Sequence, residues 1–286
     1  MTERAIFGWP RWTDKVTLTG GSWDATFPRE NMRSLPLARV ARSTNLLPAS
    51  TQVIGTLDKP RGVRLFALVR HNLSLGASYR LSIYSDTGGS VLAYDTGITN
   101  VWPAVYPSSS LAWEDANWWT GTYTADDLVG QQWLRPIWLG RLYVAGSFKL
   151  EIFDAANPAG YVEIGLLEVT QGWQTSVNMA YDYQEGWRFR STSVEAIGGG
   201  RYVDRRDKPR VARGQIAYLP RDEAMARYYE MLRQLDVTEP VLWFPFPDEP
   251  IHWLRTVWLA RLVDPGLMAL TSHKRNTVPF ALEEVL

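Results

Sequence analysis

The 286-residue sequence contains no cysteine and only three histidines, His71, His252 and His273. The absence of cysteine excludes a disulfide framework, cysteine-ligated zinc and thiol catalysis. The histidines are widely separated and have no plausible ligand set beside them, so the spacing of a histidine zinc site is missing. We therefore expect no metal ion and no other cofactor, and we expect His71 to lie at the end of a strand.

The sequence also lacks net charge, because 30 lysine and arginine residues balance 30 aspartate and glutamate residues. A broad electrostatic attraction to nucleic acid or to an anionic membrane is therefore not expected. No apolar run approaches the roughly 18 residues of a membrane-spanning helix, and no basic stretch leads into an apolar one near the N-terminus. These absences predict no direct nucleic-acid recognition, no membrane insertion and a protein that stays in the cytoplasm of the cell that makes it.

Catalytic motifs are missing as well. The sequence has no G-x-S-x-G element, and the glycines at 198–200 lack the lysine of a phosphate-binding loop. Acidic residues occur side by side, as in Glu114–Asp115 and Asp126–Asp127, and adjacent side chains rarely converge on one bond as an acid and a base must. We expect this protein not to be an enzyme.

The first part of the chain has the pattern of short β-strands. Tyr79, Leu81 and Ile83 alternate with Arg80, Ser82 and Tyr84, which is the period of a half-buried strand. Similar runs follow up to about residue 173, separated by turn sequences such as TGGS and NPAG. Several short strands with turns between them predict a β-sandwich.

The second part combines strands with one helix, predicted at about residues 221–236. Pro220 precedes it and Asp222 and Glu223 suit its first turn. Its apolar face would comprise Ala224, Tyr228, Met231, Leu232 and Leu235.

The predicted fold class is therefore mainly β, a sandwich followed by a β domain that carries one α-helix. We place an N-terminal extension at 1–19, the sandwich at 20–173 and the second domain at 174–286.

Tryptophan is concentrated in residues 111–138, which hold five of the 14 in the chain. Three interpretations are open for this segment: a sugar-binding platform, a protein interface, or an irregular loop pinned to the core by large side chains. The candidate glycan or protein contact comprises Trp113, Glu114, Asp115, Asn117, Trp118 and Trp119.

A basic stretch around the three glycines is the second candidate site. Its basic residues are interrupted by Asp204 and Asp207, which argues against nucleic acid. It is either a solvated hairpin or an arm that forms salt links with a neighbouring subunit. The candidate inter-subunit arm comprises Arg201, Tyr202, Arg205, Arg206, Lys208 and Arg210.

Several sequence segments resemble a family of tail proteins of long-tailed bacteriophages and prophages. They are FALVRHNLSLGASYRLSIYSDTGG, VWPAVYPSSSLAWEDANWWTG, FKLEIFDAANPAGYVEIGLLEVTQGW and the C-terminal FALEEVL. The resemblance covers nearly the whole chain, although no catalytic motif defines the family. The first part also resembles the discoidin or galactose-binding-like jelly roll, and the second part resembles the tail-tube-related fold of distal tail proteins.

This resemblance implies a structural component of a tail tip or baseplate, located in the virion tail after synthesis in a bacterial cytoplasm. The chain would form a homo-oligomeric ring, hexameric or trimeric, that contacts tail-tube and tail-tip hub proteins. It favours loop anchoring for the tryptophan segment, with a contact to the next tail-tip protein. The alternative is a carbohydrate-binding adhesin that uses the jelly roll to contact host-surface glycan.

Overall fold

The computed structural model describes residues 4–235, 238–264 and 266–286. The chain forms two compact units. The sandwich unit comprises Gly8–Gly172 and Phe246–Val257, and the C-terminal unit comprises Met1–Phe7, Trp173–Pro245 and Trp258–Leu286.

These units differ from the boundaries expected from the sequence. Residues 8–19 are part of the sandwich unit rather than an extension, because β-strand residues Val16–Thr19 pair with a core strand. The segment Phe246–Val257 also belongs to the sandwich unit, although it follows a strand of the other unit along the chain. The amino-acid composition does not change where the chain re-enters the sandwich unit, so this boundary could not be predicted from the sequence.

The strands are β1 (Ile6–Gly8), β2 (Val16–Thr19), β3 (Ala41–Arg42), β4 (Val53–His71), β5 (Ser78–Tyr84), β6 (Leu92–Asp95), β7 (Thr99–Asn100), β8 (Leu134–Phe153), β9 (Glu163–Thr170), β10 (Trp173–Gln174), β11 (Gln184–Trp187), β12 (Thr192–Glu195), β13 (Arg201–Asp204), β14 (Arg210–Pro220), β15 (Val241–Phe244), β16 (Trp258–Leu262), β17 (Ala269–Ser272) and β18 (Arg275–Glu284). The helices are α1 (Pro48–Thr51), α2 (Ala125–Leu128), α3 (Arg221–Glu223, continued by Ala224–Tyr229 and Glu230–Gln234) and α4 (Trp253–Thr256). Short 3₁₀ turns lie at Thr13–Lys15, Arg29–Arg33, Ser108–Ser110 and Pro250–His252.

Two long antiparallel strands, β4 and β8, organise the sandwich. They pair along two main stretches, and a short pairing of residues 61–63 with residues 143–145 lies between them, bounded by two register shifts beside which both strands become exposed. In the first stretch they are flanked by β2 and β5, and in the second β4 is flanked by β9. The same two strands therefore contribute to two layers of one continuous hydrogen-bonded sheet, β2-β4-β8-β5-β6 and β3-β9-β4-β8.

The apolar face of each layer meets the other in one core. Phe66 from the second stretch of β4 contacts Phe148 of β8 edge-to-face, with ring centroids 5.2 Å apart. Tyr79, Leu81 and Ile83 of β5 are buried, as their alternation predicts. The predicted fold class is confirmed: the chain is mainly β, with an antiparallel sandwich in its N-terminal part.

The C-terminal unit is a mostly antiparallel sheet with strand order β10-β1-β15-β16-β18-β14-β11, and β17 pairs with β18. An aromatic cluster joins distant strands of this sheet: Phe7 packs against Trp173 and Trp243, and Trp243 packs against Phe280. All four side chains are buried. The cluster explains why a short N-terminal strand and the C-terminal strand share one core.

The helix predicted at about 221–236 is α3. Ala224, Tyr228, Met231 and Leu235 are buried as expected, and the Tyr228 hydroxyl donates a hydrogen bond to the carbonyl of Pro279. Leu232 is only half-buried, because the π-helical turn Ala224–Tyr229 rotates the following residues relative to a regular α-helix. The expected last residue, 236, lies outside the described residues. The short helices α1, α2 and α4 were not predicted.

In the described part of the chain, none of the helices is long and apolar enough to cross a lipid bilayer.

Gly55 is a point in the sandwich where the packing depends on the absence of a side chain. It pairs directly with Phe148, and an added Cβ would lie 2.2 Å from the phenyl ring. The ring can therefore lie across its neighbouring strand only because residue 55 is glycine.

We expect Gly55→Ala to lower the free energy of unfolding by about 1–3 kcal/mol, the usual effect of overpacking a core. Gly76→Ala is the matched control, since its Cβ would meet nothing within 4 Å. Urea unfolding of both variants measures the difference. Equal stability of the two variants would contradict this account of Phe148 packing.

Candidate functional site

The tryptophan segment displays two indole rings to solvent. Trp113 is 73% exposed and Trp119 is 83% exposed. Trp118 is half-buried and contacts Trp119 edge-to-face, with ring centroids 4.6 Å apart. Glu114 is also exposed. The segment is therefore a surface loop with an aromatic display, here called the tryptophan loop (residues 111–121).

The tryptophan loop is closed by its own hydrogen bonds. The buried Asn117 donates from Nδ2 to the carbonyl of Thr122 at 2.7 Å and accepts at its carbonyl from the Gly121 N–H at 2.7 Å. The Gly121 carbonyl in turn accepts from the N–H groups of Val105 and Tyr106. Gly121 has φ +62°, and a Cβ there would lie 2.5 Å from the Tyr106 carbonyl oxygen. These bonds restrain the loop that carries the exposed rings.

The polar residues of the candidate contact divide between two roles. Asp115 accepts from the N–H of Ala112 at 2.8 Å, so its carboxylate shapes the loop, as Asn117 does. Glu114, Trp113 and Trp119 face outward.

The expectation that these tryptophans pin the loop is wrong for Trp113 and Trp119, because exposed rings bury little area against the core. The anchoring falls to Trp102 and Tyr123, which are buried and contact each other, with Trp133 packed against Trp102. The Trp102 indole N–H donates to the carbonyl of Leu73 at 3.2 Å. Tryptophan content alone could not tell which rings face inward in a segment without regular periodicity.

The base of the tryptophan loop contains a residue that the sequence did not single out, Arg135 of β8. It is only 9% exposed. Its guanidinium carbon lies 5.8 Å from the centre of the Tyr79 ring and 5.6 Å from that of Trp253. The signal available in the sequence was an arginine within an otherwise apolar strand, QWLRPIWLG.

His71, at the end of β4 as predicted, is buried beside this arginine. Its Nδ1 accepts a hydrogen bond from the N–H of Leu73 at 3.3 Å, and its ring packs against Trp102. Burial, and then the positive charge of Arg135, lower the pKa of His71 to about 3. The imidazole is therefore neutral at physiological pH.

The basic stretch forms a two-stranded ribbon, β12 paired with β13, with residues 196–200 at its tip. Every strand residue of the ribbon is exposed, as are Arg205, Arg206 and Lys208. Arg201 and Tyr202 lie on β13. The predicted hairpin is thus present, and its use as an inter-subunit arm stays a prediction.

Arg210 does not belong to the exposed arm. It is buried at the start of β14, where its guanidinium forms an ion pair with the buried Glu284. Arg188 and Arg190 pair with the neighbouring Glu283 on the other side of the ribbon base. Arg210 therefore holds the ribbon to its own sheet. A run of basic residues conceals such a difference, because burial depends on strand partners that are distant along the chain.

Within residues 4–235, 238–264 and 266–286, no group of three histidine, aspartate or glutamate side chains is arranged to hold a metal ion. Asp154 and Asn157 form a buried turn, in which the Asp154 carboxylate accepts from the N–H and hydroxyl of Ser74 and from the Asn157 amide.

No protein-family model matches this chain. No curated protein matches it either.

Solved structures share weak structural likenesses with the chain. A family 32 carbohydrate-binding module of Clostridium perfringens NanJ, solved with galactose, has a TM-score of 0.36 at 14% identity and covers 58% of this chain and 98% of its own. The module CpGH89CBM32-5 of Clostridium perfringens, solved with GalNAc-beta-1,3-galactose, has a TM-score of 0.35 at 10% identity, covering 56% and 99%. SpGH29 has a TM-score of 0.36 at 11% identity, and the likeness spans 55% of this chain and only 27% of that protein. Likenesses at this level assign no family, and the sugars in those structures are properties of those proteins.

The burial of neutral His71 makes the stability of the protein depend on pH. Unfolded histidine protonates below about pH 6.5, whereas His71 in the folded protein has a pKa of about 3. The unfolded state therefore binds more protons between these values, and the free energy of unfolding falls as the pH falls, by up to about 1.4 kcal/mol per pH unit.

His71→Asn removes this titration and keeps a side-chain acceptor near the N–H of Leu73. We expect its free energy of unfolding to depend less steeply on pH than that of the unsubstituted protein between pH 6 and pH 4.5. Urea unfolding at several pH values in this window measures both slopes. Identical slopes would show that His71 is not held neutral by the fold.

Proposed function

We propose that this chain is a non-catalytic binding protein and that its tryptophan loop contacts carbohydrate. The observation that carries the proposal is the pair of exposed indole rings, Trp113 and Trp119, on a loop restrained by Asn117 and Gly121. A large apolar ring in water is unfavourable, so two of them on one restrained loop indicate a partner.

The chemistry of the loop suits a sugar. The flat indole face can cover the C–H face of a pyranose, and the exposed carboxylate of Glu114 and the paired hydroxyls of Thr120 and Thr122 can bond to sugar hydroxyls. Because the loop is held by its own hydrogen bonds, little conformational entropy is lost when a ligand binds. Loops at the edge of a rigid sandwich are common positions for binding residues.

We expect Trp113→Ala and Trp119→Ala each to weaken glycan binding by about tenfold or more, as loss of an aromatic anchor does. Both should change the free energy of unfolding by less than about 0.5 kcal/mol, because the rings are exposed. Trp187→Ala, an exposed tryptophan of the C-terminal unit, is the matched control.

Glycan-array screening of the full chain, followed by calorimetric titration with the best sugar, measures these effects. Unchanged affinity in both loop variants, or no glycan bound by the unsubstituted protein, would remove the proposal.

The second candidate function is that of a tail-tip or distal-tail component that assembles into a ring. The ribbon β12–β13 favours it. A two-stranded ribbon exposed on both faces is at best marginally stable alone, and this one exposes Val194, Ile197, Tyr202 and Val203. Packing of the ribbon on another copy of the chain would bury these residues, and many copies at high local concentration would stabilise a ring. Sugar binding and ring assembly are compatible in one protein.

Val194 and Tyr202 are directly paired across the ribbon, so they share one face. If that face contacts a second copy, Val194→Glu with Tyr202→Glu should reduce the mass of the assembly to that of the monomer, since unpaired charges would be buried. Val91→Glu, an exposed valine of the sandwich unit, is the control.

Light scattering across protein concentrations measures the mass. A monomer at every concentration for the unsubstituted chain, or an unchanged mass in the double variant, would contradict the arm role.

A further inference from the structure

We propose that Arg135 is the anion-binding group of a small pocket at the base of the tryptophan loop, and that this pocket takes a carboxylate. The pocket lies within the sandwich unit and is separate from the exposed rings of Trp113 and Trp119. The proposal does not depend on the function proposed above.

The environment of Arg135 differs from that of the other buried arginines. Arg11 pairs with Glu168, and Arg210 pairs with Glu284. Arg135 is buried to a similar extent, but within the described residues it has neither an ion pair nor a hydrogen bond. Its Nε, like that of Arg210, is enclosed without an acceptor in the described part of the chain, so what sets Arg135 apart is that its whole guanidinium has none there. A buried guanidinium without a compensating anion is strongly unfavourable.

Ring contacts do not replace the missing acceptor. Arg135 lies 5.8 Å and 5.6 Å from the centres of the Tyr79 and Trp253 rings, near the outer limit of a cation–π contact at about 6 Å. Elsewhere in the sandwich, Arg61 and Arg64 stack at 4.4 Å and 4.2 Å on their aromatic partners. The rings around Arg135 shield its charge from water more than they neutralise it.

A second unpaired donor belongs to His71, whose ring packs against Trp102, one wall of the same cavity. Because His71 accepts the N–H of Leu73 at Nδ1, the proton of the neutral ring is on Nε2, and Nε2 is buried without a partner in the described part of the chain. Two orphaned donors near Trp102 mark this region as short of hydrogen-bond acceptors, and Arg135 is the one that lines the cavity.

The cavity beside Arg135 fits one oxygen of such an acceptor. It has a volume of about 10 Å³, which holds a single water-sized group. Its walls include Trp102, Tyr123, Trp253 and Leu254, and Arg135 is the only charged residue that lines it among those described. Low polarity in the walls strengthens the attraction between a guanidinium and an anion.

A carboxylate matches this arrangement better than a larger oxyanion does. The planar fork of arginine bonds to carboxylate oxygens in its own plane, and the narrow cavity admits one oxygen while the rest of the ligand remains at the mouth. Two sources share this chemistry, a small free acid and the carboxylate of an acidic sugar. Acetate and glucuronate therefore serve as the two probes.

The test is thermal unfolding and calorimetric titration of the full chain in sodium acetate or sodium glucuronate, with sodium chloride at equal ionic strength as the reference. We expect a saturable rise in Tm of about 2–4 °C over chloride when the carboxylate reaches roughly ten times its Kd. Arg135→Met, which keeps most of the side-chain volume, should weaken binding at least tenfold. Arg141→Met, at an exposed arginine of the same strand, should leave binding unchanged.

Each outcome decides between the alternatives. A saturable effect of both probes that is lost in Arg135→Met supports a carboxylate site, and a larger effect of glucuronate identifies an acidic sugar. If chloride stabilises the protein as much as either carboxylate, or if Arg135→Met retains binding, the proposal is overturned.

Should Arg135→Met fail to fold, Arg135→Lys takes its place, because lysine keeps the positive charge but lacks the planar fork. Unchanged acetate affinity in Arg135→Lys also overturns the proposal. Trp113→Ala should still bind acetate, which separates this site from the glycan contact.

Discussion

The pairing of β4 with β8 is the interaction on which the sandwich depends. Because the two main stretches of their pairing belong to different layers, each strand contributes to both layers, and the remaining strands add to edges that this pair creates. This pairing requires a glycine at position 55, because the Phe148 ring of β8 lies against the backbone of β4 there. Burial of Phe66 against Phe148 then fixes the distance between layers. The long connection between β7 and β8, which contains the tryptophan loop, starts and ends on this frame.

That connection separates its aromatic residues into two groups with different physical consequences. Trp102 and Tyr123 bury their rings and hold the base of the connection against the core. Trp113 and Trp119 remain in water on a loop whose shape is set by hydrogen bonds of Asn117 and Gly121. Anchoring and display are thus performed by different residues of one segment. The two exposed rings therefore take no part in anchoring the loop.

Arginines in both units form ion pairs with buried carboxylates. At the base of the ribbon, Glu283 and Glu284 of β18 compensate the arginines that lead into and out of it, including the buried Arg210. In the sandwich unit, Arg11 is compensated by Glu168 in the same way. Arg135 stands apart from these pairs, because apolar and aromatic side chains surround it where a carboxylate would be expected.

The sequence by itself determined the mainly β class, the alternation that buries Tyr79, Leu81 and Ile83, the helix beginning after Pro220 and the hairpin around the three glycines. These features depend on residues near one another in the chain, whose periodicity and turn preferences can be read directly. Only the tertiary structure decided that Phe246–Val257 joins the sandwich unit, that Arg210 is buried while Arg206 is exposed, and that Arg135 lies beside His71 without an acceptor. Burial and charge compensation depend on partners brought together from distant strands, and one sequence carries no local record of those partners.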